Sequence, residues 1–253
     1  MKQLPHSSSA DKRNPSVKKS KRELLFDGKE AQPSSVDHQE FVLYKFRDDG
    51  SLDGKRNGKR RGIGAIKNDI SSYLFDYLTG FHIPTHFVRK ESHNEMMVRR
   101  LELIPLRVTV YNFAFGEFAM RFNLHEGTPL VFPVIEYYHQ NSHSGLQWLN
   151  EYHMYAFKIA TPEEFRQINR LTSKVNAVLR SLCDRRKLML VGLQLEFGRF
   201  HGQLYVGGEF SPARCFIWDT VGDNGVKRNR FVVQEGPVEE IYKELFNRLT
   251  VKV

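Results

Sequence analysis

Residues 191–219 read VGLQLEFGRFHGQLYVGGEFSPARCFIWD and contain two strand-like runs that meet at a short turn. From Gly192 to Phe197 the side chains alternate, with small or polar residues on one face and leucine and phenylalanine on the other. This alternation predicts a strand with one face in the core. The opposite face would bring Glu196 against a glycine-rich second strand, an arrangement typical of the floor of a metal or phosphate site.

The rest of the chain predicts an α+β fold. Strands are predicted at 23–26, 40–46, 85–88, 96–100, 103–113 and 130–138, and helices at 66–78, 161–183 and 237–249. The long helix begins with an N-cap signature in Thr161, Pro162 and Glu164. A polar connection is expected where Gly28-Lys29 and Pro33-Ser34-Ser35 follow the first strand.

The order of these elements predicts two lobes. Residues 23–100 would form a small, antiparallel, β-rich lobe. Residues 101–253 would form a larger α+β lobe that contains the 191–218 hairpin. A nucleotide cleft is expected between the lobes, since ligand sites favour such boundaries.

Basic residues are in excess, with 38 Lys and Arg against 29 Asp and Glu and a formal net charge of +9. They concentrate in residues 1–22, whose composition predicts a disordered tail, and in a glycine-rich loop at 54–62. Such segments attract anionic partners, so nucleic-acid binding through the tail is one hypothesis, although no nucleic-acid-binding module is recognisable.

No apolar run approaches the roughly 20 residues that cross a bilayer, and no secretory signal is visible. The two cysteines, Cys183 and Cys215, lie far apart in the sequence without the spacing of metal ligands. These features predict a protein of the reducing cytoplasm that does not act at a membrane.

Standard catalytic motifs are missing, since HExxH, GxSxG, Walker and dinucleotide-binding patterns do not occur. His139, His143 and His153 lie in or near the polar stretch EYYHQNSHSG, which is expected to be a solvated loop. Zinc binding there is the less favoured interpretation. A single Gly28-Lys29 pair after the first strand could bring a lysine to a phosphate, but it is a weak signal alone.

Several short motifs occur together in a fixed order: THF at 85–87, IPL at 104–106, LEFG at 195–198, EFSP at 209–212 and WD at 218–219. On these motifs the chain from about Glu23 to its C-terminus resembles the SAICAR synthetase family. The resemblance implies a two-lobed, ATP-dependent ligase of purine biosynthesis that joins a carboxylated aminoimidazole ribotide to aspartate. Phosphate passes from ATP to the carboxylate, and the aspartate amine then displaces it. ATP and Mg2+ are the cofactors that the resemblance implies.

The resemblance also assigns roles to individual residues. It implies that Lys29 contacts phosphate, that Glu196 binds the metal ion, and that Lys29, Glu196 and Glu209 form the catalytic set. The positions that it assigns to substrate binding are Asn112, Arg121, Ser211 and Arg228.

Other positions depart from the family's pattern. Charged residues of the phosphate and metal sites are replaced by Ala31, Gly192, Gln194, Gly208 and Ala213, and a Lys-Asn-Asp loop resembles His139-Gln140-Asn141. At the positions that serve the ribotide, Tyr111 and Phe216 replace arginines and Glu117 replaces a serine. Opposite charges in contact are worth about 4 kcal/mol at an effective dielectric of 20, so these changes bear directly on substrate binding. Arg107, Arg121 or the basic cluster at 55–61 could restore positive charge.

Three hypotheses therefore stand. The first is a ligase that joins an acid to an amine, with the family's substrates or altered ones, and binds ATP and small anionic substrates. The second is a catalytically silent relative that keeps a nucleotide-binding or partner-binding cleft. The third is nucleic-acid binding through the basic tail. A homo-oligomer is left open.

Overall fold

The fold is known from a computed structural model, which describes residues 23–25, 29–33, 40–48, 62–141, 145–219, 231 and 237–251. The predicted tail at 1–22, the basic cluster at 55–61, His143 and Arg228 lie outside the described residues.

Helices and strands are mixed along the chain, which confirms the predicted α+β class. The strands are β1 (Glu23–Leu25), β2 (Lys29–Pro33), β3 (Phe41–Lys45), β4 (Phe87–Lys90), β5 (Glu95–Arg99), β6 (Glu102–Phe113), β7 (Pro129–Asn141), β8 (Gly145–Leu149), β9 (Leu188–Phe200), β10 (Gln203–Gly207) and β11 (Cys215–Asp219). The helices are α1 (Ile63–Gly80), α2 (Gly116–Arg121), α3 (Glu151–Ala156), α4 (Pro162–Arg185) and α5 (Val238–Thr250).

The strands form two antiparallel sheets. The smaller sheet has the order β1-β2-β3-β5-β4, and the larger has the order β10-β9-β6-β7-β8, with β11 also paired to β9. The predicted lobe boundary after residue 100 falls between the last strand of the smaller sheet and the first strand of the larger one. The division into two lobes itself stays a prediction.

Strand β9 pairs with three other strands of the larger sheet. One of its edges pairs with β6, while the other pairs with β10 over its C-terminal half and with β11 over its N-terminal half. Between β10 and β11 the chain leaves the sheet at 208–214 and then returns to the same edge of β9. This excursion is the segment that the sequence marked with the EFSP motif.

The turn between β9 and β10 fixes their register. His201 and Gly202 have φ angles of 49° and 73°, and a two-residue turn of type I′ requires positive φ at both central positions. As a result, Glu196 lies opposite Gly207. On the other face of β9 the predicted apolar residues Leu193, Leu195 and Phe197 are buried in the main core.

The N-terminal half of the chain corrects two predicted elements. The expected polar connection around Lys29 contains β2, which pairs with strands on both of its edges. Its sequence, KEAQP, holds no β-branched or aromatic residue, so backbone pairing sets its structure. The strand predicted at 85–88 begins only at Phe87, since Thr85 instead forms a parallel bridge with Val206 of β10.

A third predicted element, in the middle of the chain, also differs in the structure. The stretch EYYHQNSHSG is not a loop over its first six residues, because β7 continues to Asn141 and pairs with β8. His139 belongs to that strand. His153 belongs to α3, where its Nδ1 accepts the Asn150 N–H at 3.1 Å in a capping box. Neither α2 nor α3 was predicted, since each has only six residues and too short an apolar pattern.

Helix α4 confirms its prediction most fully. It begins after Thr161, which caps it, and it packs against β9 through a buried stripe. The stripe includes Phe165, Ile168, Val175, Leu179 and Leu182. None of the described helices is both long enough and apolar enough to cross a membrane.

The capping box of α4 can be tested by mutation. Thr161 Oγ1 accepts the Glu164 N–H at 3.2 Å, and Glu164 Oε2 accepts the Thr161 N–H at 2.8 Å. We expect Thr161→Ala to lower the free energy of unfolding by about 1 kcal/mol, measured by urea denaturation. Thr161→Ser keeps the hydroxyl acceptor and serves as the control. Equal losses in the two variants would contradict the role of the hydroxyl.

Candidate active site

The polar face of the larger sheet carries three rows of side chains. Residues directly opposite each other in an antiparallel sheet share a face. From β7 through β6 to β9, the first row is Tyr138, Arg107 and Glu196, the second is Glu136, Thr109 and Gln194, and the third is Val134, Tyr111 and Gly192. The predicted alternation along β9 therefore places Glu196 and Gln194 together on the face away from the core.

Glu196 is a buried carboxylate in a charged setting. Its side chain is only 6% exposed, and its Oε1 accepts a hydrogen bond from Gln140 Nε2 at 3.2 Å. Arg214 Nη2 lies 3.7 Å from the same oxygen, and Arg107 lies directly opposite on β6. Burial lowers the pKa of Arg107, and Glu196 opposes that change, while burial lowers the pKa of Arg214 to about 10. Both arginines therefore stay cationic at neutral pH beside the carboxylate.

Gly208 gives Glu196 the space that it occupies. A Cβ at Gly208 would lie 2.8 Å from Glu196 Oε2, and the glycine has a φ of 75°, in the left-handed region that favours glycine. A side chain at residue 208 would therefore clash with Glu196 in its present orientation.

Glu209 joins the two sheets. Its Oε1 accepts the Ser211 hydroxyl at 3.1 Å, and its Oε2 accepts the hydroxyl of Tyr44, a residue of β3 in the smaller sheet, at 3.3 Å. Burial, Glu209 and Glu196 all raise the pKa of Tyr44, in that order. Tyr44 is therefore a neutral donor that senses both carboxylates, which lie in one polar region where the sheets meet.

The 208–214 excursion is held in place by hydrogen bonds to α1 and β9. The Phe210 N–H donates to Ser71 Oγ of α1 at 2.9 Å. At the other end the Gln194 N–H donates to the Arg214 carbonyl at 2.8 Å, and Arg214 Nη1 donates to Gln194 Oε1 at 2.7 Å. Glu209 and Ser211 therefore sit on a segment that is fixed to both the smaller-sheet side and the larger sheet.

Arg121, predicted to bind substrate, is paired with an acidic residue. From α2 its Nη2 donates to both oxygens of Glu136, at 2.8 and 2.7 Å. Tyr138 donates to Glu136 Oε2 at 2.5 Å. The charge of Arg121 is thus already balanced within the second row.

Asn112, also predicted to bind substrate, lies in the interior. It is 2% exposed and forms a reciprocal amide pair with Asn176 of α4, at 2.8 and 2.9 Å. Its Nδ2 also donates to the Leu190 carbonyl at 3.1 Å. This geometry favours a structural role in docking α4 onto the sheet, and a substrate contact stays a prediction.

Two predicted residues have no described side chain. Lys29 begins β2, which pairs with β3, so its backbone lies in the same sheet as Tyr44. Arg228 lies outside the described residues. Their predicted roles in phosphate and substrate binding therefore stay predictions.

The sequence did not predict Tyr44, Gln140 or Arg214 as site residues. Tyr44 carries the one hydroxyl in the strand FVLYK, and Arg214 is the one charged residue between Glu209 and β11. Neither residue can be recognised as part of the site until the strand that it faces is known.

The histidine of the THF motif supports the fold. The His86 side chain is buried against Phe75, with ring centroids 5.0 Å apart. The backbone N–H of His86 donates to the Val206 carbonyl at 2.9 Å. Burial lowers its pKa to about 3, so it is neutral. Within the described residues, no three His, Cys, Asp or Glu side chains cluster as a ready-made metal site.

Comparison with known proteins decides the family. The family model described as SAICAR synthetase matches residues 24–244. This chain belongs to the SAICAR synthetase family. The resemblance inferred from the short motifs is thereby confirmed over nearly the same range.

Individual members of the SAICAR synthetase family are similar to this chain in sequence and in structure. A Pseudomonas aeruginosa protein named phosphoribosylaminoimidazole-succinocarboxamide synthase is 38% identical over 232 residues, covering 91% of this chain and 98% of the relative. The crystal structure of the Ehrlichia chaffeensis synthase of that name has a TM-score of 0.80 and 30% identity, covering 90% of this chain and 98% of its own. A SAICAR synthetase in complex with ADP has a TM-score of 0.79 and 29% identity, with coverages of 88% and 94%.

The structural role of the asparagine pair can be tested. Asn176→Ala removes the partner of both amide groups of Asn112, and an unsatisfied buried polar group costs about 1–3 kcal/mol. We expect a loss of that size in the free energy of unfolding, measured by urea denaturation. Gln167→Ala, at an exposed position of the same helix, is the control. A stable Asn176→Ala protein would contradict the structural role.

Proposed function

We propose that this member of the SAICAR synthetase family is an ATP-dependent ligase that joins a carboxylic acid to an amine. The observation that carries the proposal is the family match over residues 24–244 together with the retained carboxylates Glu196 and Glu209 in one polar region. The names of the relatives support the ligase activity, and the ADP complex of one solved relative supports nucleotide binding.

The reaction balances as an amide synthesis. A bond forms between the carboxyl carbon of the acid and the nitrogen of the amine, while ATP is split into ADP and phosphate. The oxygen that the carboxyl group loses leaves with the phosphate. Because phosphate is transferred between anions, catalysis depends on cations and on fixed donors around the phosphoryl group.

The carboxylates fit Mg2+. This ion usually binds through one or two protein carboxylates and nucleotide phosphates and keeps several waters, so Glu196 and Glu209 would be the residues that hold it. When bound, the ion would supply positive charge to the phosphate oxygens. Gln140 orients Glu196, while Tyr44 and Ser211 orient Glu209. Substrate contact by Ser211, and phosphate contact by Lys29, are further parts of this proposal.

Arginines supply positive charge where lysines are missing. Gln194 stands where the family's pattern has a lysine, and the guanidinium of Arg214 is bound directly to it. Arg107 adds a second cation in the neighbouring row. We infer that these two groups compensate for the lost charge and that the site is adapted for catalysis. A catalytically silent relative receives no better support from the comparisons.

Nucleic-acid binding through the basic tail involves residues that the structure does not describe, and no described contact favours it. A cytoplasmic location is kept as a proposal that follows from the sequence, and assembly into a homo-oligomer is left open.

The ligase proposal predicts a strong effect at Glu196. With ATP, Mg2+, aspartate and a panel of imidazole and other aromatic carboxylic acids, we expect the wild type to release ADP only when acid and amine are both present. Glu196→Gln should lower that rate about 100-fold, since it removes a charge that acts on the transferred group. A coupled ADP assay measures the rate.

The matched control is Glu102→Gln, which removes an exposed carboxylate from β6 of the same sheet. It should keep wild-type activity, and both variants should keep the wild-type melting temperature within a few degrees. A wild type that neither binds ATP nor releases ADP with any acid–amine pair would refute the ligase.

A further inference from the structure

The third row of the polar face is aromatic. Phe216 of β11 lies opposite Gly192, which lies opposite Tyr111 of β6. The ring of Phe115 covers this glycine, because a Cβ at Gly192 would lie 2.6 Å from Phe115 Cε1. The centroid of the Phe115 ring is 5.1 Å from that of Tyr111 and 4.8 Å from that of Phe216. We call Tyr111, Phe115 and Phe216 the aromatic platform.

The platform is supported from one side and accessible from another. Phe118 stacks on Tyr111 with ring centroids 4.3 Å apart, and both side chains are buried. Phe115 and Phe216 are only partly buried among the described residues. A rigid, partly open aromatic surface suits a planar or apolar group, which it can contact by offset stacking or edge-to-face packing.

The described charges beside Phe115 do not favour an anion, and Arg214, two residues before Phe216, is already held by Gln194 and Glu196. On the segment 115–121 the charged residues are Glu117, which is exposed, and Arg121, which is bound to both oxygens of Glu136. Together these three groups carry a net charge of about −1. A phosphate group carries a charge of about −1.5 to −2 at neutral pH and needs cationic or N–H donors. It would meet aromatic rings and an acidic side chain here.

The substitutions at this place form one packed unit. The resemblance to the family implies two arginines and a serine for the ribotide where this chain has Tyr111, Phe216 and Glu117, and the ring of Phe115 fills the space over Gly192. Independent losses in a decaying site would not be expected to produce rings that pack against one another. Replacement of cations by a continuous aromatic surface indicates a changed ligand.

The distance from the platform to the catalytic carboxylate sets the size of that ligand. Rows on one face are two residues apart along a strand, or about 6.6 Å, so the platform lies about 13 Å from the row of Glu196. An acid that places its carboxyl group near Glu196 must therefore extend across the second row to reach the rings.

We propose that the acid substrate is not phosphorylated and instead carries an uncharged aromatic or apolar group that binds the aromatic platform. This inference rests on the proposed ligase function and specifies the class of its acid substrate.

Calorimetry on the full-length protein with Mg2+ and a non-hydrolysable ATP analogue tests the proposal. The probes are carboxylated aminoimidazole ribotide and its riboside, which differ only in the phosphate. We expect the wild type to bind the riboside at least tenfold more tightly. Phe115→Ala should lower affinity for the riboside about tenfold, because it removes the central ring.

Restoring a cation should reverse the preference. Phe216→Arg, and the exposed change Glu117→Arg as a variant with little risk to folding, should each raise the ratio of ribotide to riboside affinity at least tenfold. Phe132→Arg adds the same charge at a position 79% exposed on β7 and should leave the ratio unchanged. Circular dichroism and melting temperature check that each variant is folded.

Three results would overturn the inference: tighter binding of the ribotide by the wild type, no binding of the riboside by a protein that binds the ATP analogue, or an equal change in Phe132→Arg and the two platform-side variants. A protein that prefers the riboside but does not bind the ATP analogue would instead contradict the ligase and leave the ligand preference standing.

Discussion

The register of β9 against β6 is the constraint on which the rest of this structure depends. A shift of one residue would turn Glu196 and Gln194 into the core and bring Leu193 and Leu195 to the polar face, so burial of the leucines excludes it. The tight turn at His201 and Gly202 fixes β10 in the same frame. Hydrophobic burial on one face thus positions the charged groups on the other.

The segment between β10 and β11 starts from this fixed register and connects the two sheets. The 208–214 excursion places Glu209 where Tyr44 of the smaller sheet donates to it, and Phe210 where Ser71 of α1 accepts its N–H. Burying a carboxylate is costly unless donors surround it. The donors around Glu209 come from the excursion itself and from the smaller sheet, so formation of the site and docking of the smaller sheet depend on each other.

Local signals were enough to predict some of this fold. The capping residues defined the start of α4 at Thr161, and alternation defined the polar face around Glu196. Strand β2 could not be predicted, because its conformation depends on pairing with distant strands rather than on its own residues. The interior location of Asn112 was also out of reach, since only the packing of α4 brings Asn176 to it. Family resemblance supplied the site residues, but not the contacts of Tyr44 or Arg214.

Packing at Gly192 couples two positions that are distant in the sequence. The ring of Phe115 and the carbonyl oxygen of Val110 would each lie 2.6 Å from a Cβ at this position. A carboxylate side chain at residue 192 therefore requires that the ring leaves and also that the backbone of β6 moves. Removal of the ring alone would leave the clash with the carbonyl oxygen, so an engineered return of charge to this row needs a change in strand geometry as well as in side chains.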